Sequence, residues 1–276
     1  MLRLNKMRKP NFHCKTIVLL FVMLSLTGCV WLRLLEFRNQ LGEFDDYFVT
    51  KVNGEGFTLG FREPVLFSDD LIYLSRLEPS KKSKLHDTVD WLYDFKKIDA
   101  EGKLVSPEVD IIFRLGFNGE NMMSSWTFSP IFLAMAPPQF LEMSLRGLGS
   151  SKIFRSKRQV KATFDSLPKL KAELPLKQDI IRNLGDPVEI VEESRDQQQY
   201  IYHFMLETDY VEKGYEDRRF MEMKLDFAND SGKLLKMWSK FVGMKVSIDY
   251  RKLVDGTESE VSDTKGLPSG KEIQNT

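Results

Sequence analysis

The sequence predicts an α+β fold of two tandem units, each a short helix packed on a three-stranded antiparallel sheet, with an extra helix pair between them. Apolar and polar residues alternate in several short runs. Turn dipeptides such as Asn53-Gly54 and Asn118-Gly119 separate some of these runs, and short helical segments precede others. Such alternation is typical of antiparallel strands with one buried face, so we expect the sheets to be antiparallel.

The N-terminal residues have the layout of a secretory signal peptide. Basic residues come first, and an apolar run of ten residues from Ile17 to Leu26 follows. That run is too short to cross the ~30 Å hydrocarbon layer as a helix, so we predict a cleaved segment over residues 1–28.

The motif Leu26-Thr27-Gly28-Cys29 resembles the lipobox of bacterial lipoproteins. The resemblance implies cleavage before Cys29, acylation of its sulfur and a membrane anchor. Val30 stands where an Asp would imply the inner membrane, so the resemblance implies the periplasmic face of a Gram-negative outer membrane. The alternative is an ordinary signal peptide or anchor in which the cysteine is accidental.

Charge and composition exclude several functions for the processed chain. Cleavage would remove five of the 40 Lys and Arg and none of the 40 Asp and Glu, which leaves a net charge of −5. A net negative chain is a poor match for nucleic acid. The cysteines are Cys14 and Cys29, so no disulfide is expected after processing. His86 and His203 are far apart, and no spacing typical of a metal or cofactor site occurs.

The first half of the chain predicts an anchor segment with the first hairpin strand (29–56) and a first unit (57–149). Residues 30–41 predict a helix that either lies on the bilayer or packs on the domain, and we expect the second. Ser68-Asp69-Asp70 can cap a helix from 71 to 77, and Lys81 to Lys84 predict a solvated loop. Strands are predicted at 47–52, 57–62, 89–98, 109–117 and 122–128.

The apolar stretch 129–147 predicts two short helices broken at Pro137-Pro138. They either form a loop that dips into the membrane or lie on the sheet, and we expect the second because the prolines prevent a continuous span. The basic stretch 150–173 is either a lipid-phosphate site or, as we expect, a solvated connector with a short strand at 159–164.

The second unit is predicted over residues 150–254, followed by a disordered tail at 255–276. It comprises a helix at 175–184 and strands at 200–206, 219–227 and 233–241. The aromatic pattern Trp91, Tyr93, Phe95 recurs at Tyr200, Tyr202, Phe204 with an offset of 109, which predicts a tandem repeat.

Residues 174–241 resemble the SmpA/OmlA family of outer-membrane assembly lipoproteins. The matching features are the helix that ends in Leu184-Gly185-Asp186-Pro187, the strand with Tyr200-Ile201-Tyr202, and Leu225-Asp226-Phe227 before the Gly232 turn. The resemblance implies an α+β unit and a partner in the cell envelope. That family includes a single short unit, whereas two units and a tail are predicted here.

The sequence predicts binding rather than catalysis. No nucleophile elbow, phosphate loop or zinc-protease motif occurs, and the pairs Asp45-Asp46, Asp69-Asp70 and Glu192-Glu193 are expected in caps and solvated loops. Ile201, His203 and Met205 should point away from the helix-covered face and form a binding strip. We expect a scaffold that binds an envelope protein, and the alternative is a carrier or sensor of a small apolar ligand such as lipid.

Overall fold

The computed structural model describes residues 30–150, 152–154, 159–161, 167–241 and 244–255. The predictions for the signal peptide at 1–28, for acylation of Cys29 and for the tail beyond Asp255 lie outside the described residues.

Thirteen strands of the described chain lie in a single sheet. They are β1 (Phe48–Asn53), β2 (Gly56–Phe61), β3 (Lys81–Leu85), β4 (Thr88–Ile98), β5 (Asp110–Phe117), β6 (Met123–Phe128), β7 (Lys152–Phe154), β8 (Gln159–Lys161), β9 (Glu189–Glu192), β10 (Gln197–Leu206), β11 (Phe220–Ala228), β12 (Leu234–Phe241) and β13 (Met244–Asp249). The order is β1-β2-β6-β5-β4-β10-β11-β12-β13-β8-β7, with β3 added to β4 and β9 to β10. The pairs are antiparallel except for β13 with β8.

The helices are short; two precede the first strand, and the other described helices lie between strands in the chain. They are α1 (residues 30–42 of the described chain), α2 (Phe44–Tyr47), α3 (Ser68–Ser75), α4 (Pro130–Leu133), α5 (Pro138–Gly149) and α6 (Lys177–Leu184). Two 3₁₀ turns, Glu216–Arg219 and Tyr250–Lys252, complete the described helical elements.

The predicted fold of two separate units is wrong. A short helix followed by a short and three longer strands does occur twice, in α3 with β3 to β6 and in α6 with β9 to β12. The strands of both stretches nevertheless belong to one sheet, because β4 pairs with β10 from Phe95 opposite Leu206 to Ile98 opposite His203. Two separate sheets would leave those edges of β4 and β10 unpaired, and joining them satisfies the backbone groups.

The two faces of this sheet differ in polarity. The inner face carries Trp91, Tyr93 and Phe95 on β4 and Tyr202 and Phe204 on β10, and these rings are buried in one continuous hydrophobic cluster. The residues between them in sequence point to the opposite side, the outer face. One core therefore serves both halves of the chain.

Helices pack on the inner face. The ring of Phe37 on α1 lies 6.1 Å from that of Phe48 and 5.8 Å from that of Phe61. Phe132 on α4 lies 5.5 Å from the rings of both Phe113 and Phe128. The helix predicted at 30–41 thus packs on the domain.

The helix pair predicted at 129–147 also lies on the sheet. Met135 and Phe140 are fully buried, and the Tyr250 hydroxyl donates to the Met135 carbonyl at 2.8 Å. Where α5 meets α1, a Cβ on Gly149 would overlap the backbone of Gly42, so this close approach requires glycine.

A buried lysine connects the first half of the chain to the helix of the second. Lys97 lies on the inner face of β4 and is 6% exposed. Its Nζ donates to the carbonyls of Leu184 at 2.6 Å and Asp186 at 2.5 Å, at the C-terminus of α6. Carbonyls at a helix C-terminus have no intrahelical donor, so the ammonium group satisfies them and interacts favourably with the helix dipole.

A buried arginine makes the reciprocal connection. Arg218, in the 3₁₀ turn before β11, donates from Nη1 to the carbonyls of Leu74 at 2.7 Å and Ser75 at 3.0 Å. These carbonyls end α3. Each half of the chain therefore supplies a cation to the helix C-terminus of the other.

Two local predictions are corrected. Residues 81–84, predicted as a loop, form β3 because their backbone pairs with β4, which outweighs the low strand propensity of lysine. Helix α3 begins at Ser68 rather than at residue 71. The Asp70 carboxylate accepts the Phe67 N–H at 3.0 Å from inside the first turn and also binds the Arg33 guanidinium.

Candidate functional site

The predicted binding residues lie on β10, at the middle of the sheet. Ile201, His203 and Met205 all point to the outer face, as their alternation with the buried Tyr202 and Phe204 requires. Ile201 is 6% exposed, whereas His203 and Met205 are part-exposed. Partner binding at these residues stays a prediction. The direction in which their side chains point follows from the strand pattern.

Neighbouring strands complete the strip. Met205 lies opposite Phe220 on β11 and Lys96 on β4, and Phe220 is 45% exposed. We call the surface formed by His203, Met205 and Phe220, with the buried Ile201 beneath its edge, the outer strip. Its centre is apolar and is supported from both sides by paired strands, so its side chains are held on a rigid element.

Charged groups border the outer strip on the β11 side. The His203 Nε2 lies 3.7 Å from the Glu222 Oε2, and the Glu222 Oε1 lies 3.7 Å from the Lys224 Nζ. These pairs are part-exposed, and they contribute little to folding at such distances. They leave a wet, charged rim beside an apolar centre.

Carboxylates gather around one lysine on the β4 side. The Lys96 Nζ lies 3.1 Å from the Glu108 Oε2 and 3.5 Å from the Glu207 Oε2. Asp110 lies directly opposite Lys96 on β5, and the backbone N–H of Glu207 donates to the Asp94 carbonyl at 2.9 Å. The hydrogen bond with Glu108 raises the pKa of Lys96, so the lysine stays charged.

Lys96 does not supply a hydrogen-bond donor to every carboxylate oxygen of this cluster. Burial, reinforced by the charge of Asp110, raises the pKa of Asp94 to about 6. Burial also raises the pKa of Asp110. One carboxylate oxygen of each, Oδ1, is buried without a hydrogen-bond partner among the described residues.

The acidic pairs named from the sequence have structural explanations. Asp45 and Asp46 lie in α2 rather than in the expected loop, and Asp45 binds the Arg146 guanidinium at 2.6 and 3.0 Å. Asp70 caps α3. Glu192 and Glu193 are exposed near the end of β9. In the described ranges no cluster of His, Cys, Asp and Glu could hold a metal ion, and no described helix is both long and apolar enough to span a bilayer.

A surface pocket of about 310 Å³ lies away from the outer strip, near the β11–β12 turn. It is lined by Arg195, Asp196, Gln197, Ala228, Asn229, Asp230 and Leu235. Mostly polar residues line it, so it does not match the apolar cavity that a lipid carrier would need.

Sequence reasoning missed two parts of this surface. Phe220 was overlooked, although the alternation of Met221, Met223 and Leu225 already places Phe220 on the opposite face. The carboxylate cluster could not be found, because Glu207 reaches Lys96 only through the pairing of β4 with β10.

Comparison with known proteins gives no relative. No protein-family model matches the chain, no curated protein matches it, and no solved structure matches its fold. The resemblance to the SmpA/OmlA family and the lipobox therefore stay predictions from the residues that carry them.

Proposed function

We propose that this chain is an outer-membrane lipoprotein, anchored through Cys29 on the periplasmic face, that binds an envelope protein through the outer strip. The sequence from the basic N-terminus to Cys29 supports the anchor. The outer strip is the observation that carries the binding role. Part-exposed Met205 and exposed Phe220 lie opposite each other on central strands and are bordered by charge.

This arrangement suits a protein partner for a physical reason. An apolar centre gains free energy when a partner removes it from water, at roughly 25 cal/mol per Å² of apolar surface. The charged rim stays hydrated and sets orientation and specificity. Because the β4 side carries Asp94, Glu108, Asp110 and Glu207 around Lys96, the partner should present basic groups there.

The second candidate, a carrier or sensor of a small apolar ligand, receives less support. Such a protein would hold its ligand against the apolar face of the sheet. On the inner face, Tyr202, Phe204, Leu225 and Phe227 are fully buried against the chain itself. We therefore favour the scaffold over the carrier.

Lipid attachment should depend on one sulfur atom. We expect Cys29→Ser to abolish incorporation of a labelled fatty acid and to block lipoprotein processing, because serine offers no thiol for acylation. Cys14→Ser is the matched control and should still be labelled and processed. Labelling of the Cys29→Ser chain would show that the lipobox interpretation is wrong.

Partner binding should depend on Met205. We expect Met205→Asp to cost under ~0.5 kcal/mol in stability, because the side chain is part-exposed, and to weaken crosslinking of an envelope protein to a photoreactive residue at Phe220. Ile190→Asp, at an apolar residue on β9 that is 52% exposed, should leave crosslinking unchanged. A drop of several kcal/mol with unchanged crosslinking at matched folded concentration would contradict the docking site.

A further inference from the structure

Strand β1 forms one end of the sheet. It pairs with β2 on one side, and among the described residues no strand lies on its other side. An edge strand presents backbone donors and acceptors that another strand can pair with. Two apolar side chains of β1, Val49 and Val52, are exposed.

The hydrogen-bond pattern identifies which backbone groups are available. The Arg62 N–H donates to the Tyr47 carbonyl at 2.8 Å, one step before Phe48 pairs with Phe61. Bonded pairs alternate along an antiparallel ladder, so Val49 and Lys51 direct their backbone groups towards β2. Thr50 and Val52 direct theirs away from the sheet.

We propose that β1 pairs with β1 of a second copy of this chain, antiparallel and about a two-fold axis at Thr50. Each Thr50 would exchange both backbone hydrogen bonds with Thr50 of the second copy. Each Val52 N–H would donate to the Phe48 carbonyl of the second copy. The Phe48 N–H is already bound to the Phe44 carbonyl, so Phe48 supplies only an acceptor.

Side-chain complementarity favours this register and this occupant. With Thr50 on the axis, Lys51 lies opposite Val49 of the second copy, so the two lysines do not face each other. On the other face Phe48 is buried in its own core at 3% exposure, so there Phe48 supplies only its backbone carbonyl to the exposed Val52 of the second copy. If the axis lay at Lys51 instead, with the strands slipped by two residues, Lys51 would oppose itself, and like charges directly opposite are destabilising.

The chain's own C-terminal residues are a weaker occupant. Residues 256–276 contain Val261, Leu267 and Ile273 as their large apolar residues, with Pro268 among them. Proline and charged residues are unfavourable in a paired strand. A second copy presents the same strand, in which Val49, Thr50 and Val52 are β-branched and no proline occurs, and needs no further partner.

A crosslinking experiment on the full chain, in intact cells and after purification in detergent, tests the proposal. Residues opposite each other in a bonded pair have Cα atoms about 5.5 Å apart, so Thr50→Cys should give a covalent dimer with a short thiol crosslinker. Val52→Cys is the matched control, because the two copies of Val52 lie four residues apart along the paired strands, roughly 13 Å. Dimers from Thr50→Cys that exceed those from Val52→Cys at least several-fold are expected.

A proline substitution gives the second readout. Thr50→Pro removes an N–H that points away from β2 and one long side-chain hydrogen bond, from the Thr50 hydroxyl to the Glu142 Oε2 at 3.4 Å. The fold should therefore be preserved, as circular dichroism would show, and the dimer abolished in sedimentation. Equal crosslinking from both cysteine variants, none from either, or an unchanged mass for the folded Thr50→Pro chain would each overturn the proposal. In those cases the charge of Lys51 serves only to prevent the edge strand from pairing with another chain.

Discussion

Lys97→Met is expected to lower the free energy of unfolding by about 1–3 kcal/mol. The substitution keeps the length of the side chain but removes both hydrogen bonds to the carbonyls of Leu184 and Asp186. A buried carbonyl left without a donor costs ~1–3 kcal/mol, and two are affected. Release of a buried charge offsets part of that cost, because burial lowers the pKa of Lys97 and so opposes its charged form.

The reciprocal arginine provides a matched test of this account. Arg218→Met removes the donor to Leu74 and Ser75 and should cost a similar amount, because its guanidinium caps α3 as Lys97 caps α6. Lys84→Met, at an exposed lysine on β3, should stay within about 0.5 kcal/mol of the parent. Denaturant unfolding with a constant m value measures all three. A Lys97→Met chain as stable as the Lys84→Met chain would mean that water satisfies the α6 carbonyls.

These caps also bear on how much of the fold the sequence predicts. Period-two alternation correctly placed β4, β5, β10 and β11, because each is a long strand with one buried face. Alternation says which face a residue occupies but not which strands meet. The pairing of β4 with β10 depends on residues about 110 apart, so local patterns did not reveal it and two separate units were predicted.

The short strands β3 and β9 were not predicted, for a different reason. β3 is mostly lysine and serine, and β9 has only four residues, so neither carries a pattern that differs from a loop. They are strands because β4 and β10 offer backbone partners. Lys97 was likewise overlooked, although its register with Trp91, Tyr93 and Phe95 places it on the inner face.

In the candidate site, too, the direction of the side chains was predictable from one strand, whereas contacts between strands were not. The outward facing of Ile201, His203 and Met205 followed from one strand alone, and so it was predictable. Their exposure was not, since Ile201 is buried while Met205 is part-exposed. The carboxylates around Lys96 come from two strands and two loops, and only the folded sheet brings them together.

Asp94→Asn is expected to stabilise the protein at neutral pH by about 1–2 kcal/mol. The folded state raises the pKa of Asp94 from 3.8 to about 6, first through burial and then through Asp110. Each pKa unit corresponds to ~1.4 kcal/mol, and partial solvent access reduces the sum of about 3 kcal/mol. Asparagine keeps the shape and removes the charge.

The pH dependence gives this prediction its sign. Between pH 3.8 and about 6 the folded chain binds more protons at Asp94 than the unfolded chain does, so the contribution of Asp94 to stability falls as pH rises through this window. Above the window its full cost is present, and below it the cost vanishes. The stability difference between Asp94→Asn and the parent should therefore be near zero at pH 4 and reach its full value by pH 7.

A neighbouring aspartate on the same strand and face makes the control. Asp90 is exposed, so Asp90→Asn should change stability by less than about 0.5 kcal/mol at either pH. Denaturant unfolding of the three chains at pH 4 and pH 7 measures the effect, and a gain for Asp94→Asn that is the same at both pH values would contradict it.

A carboxylate that is kept at a net cost to folding, beside the outer strip, is typical of a functional surface. Asp94→Asn should then also weaken partner crosslinking at Phe220, because the more stable chain lacks the charge that a basic partner group would meet.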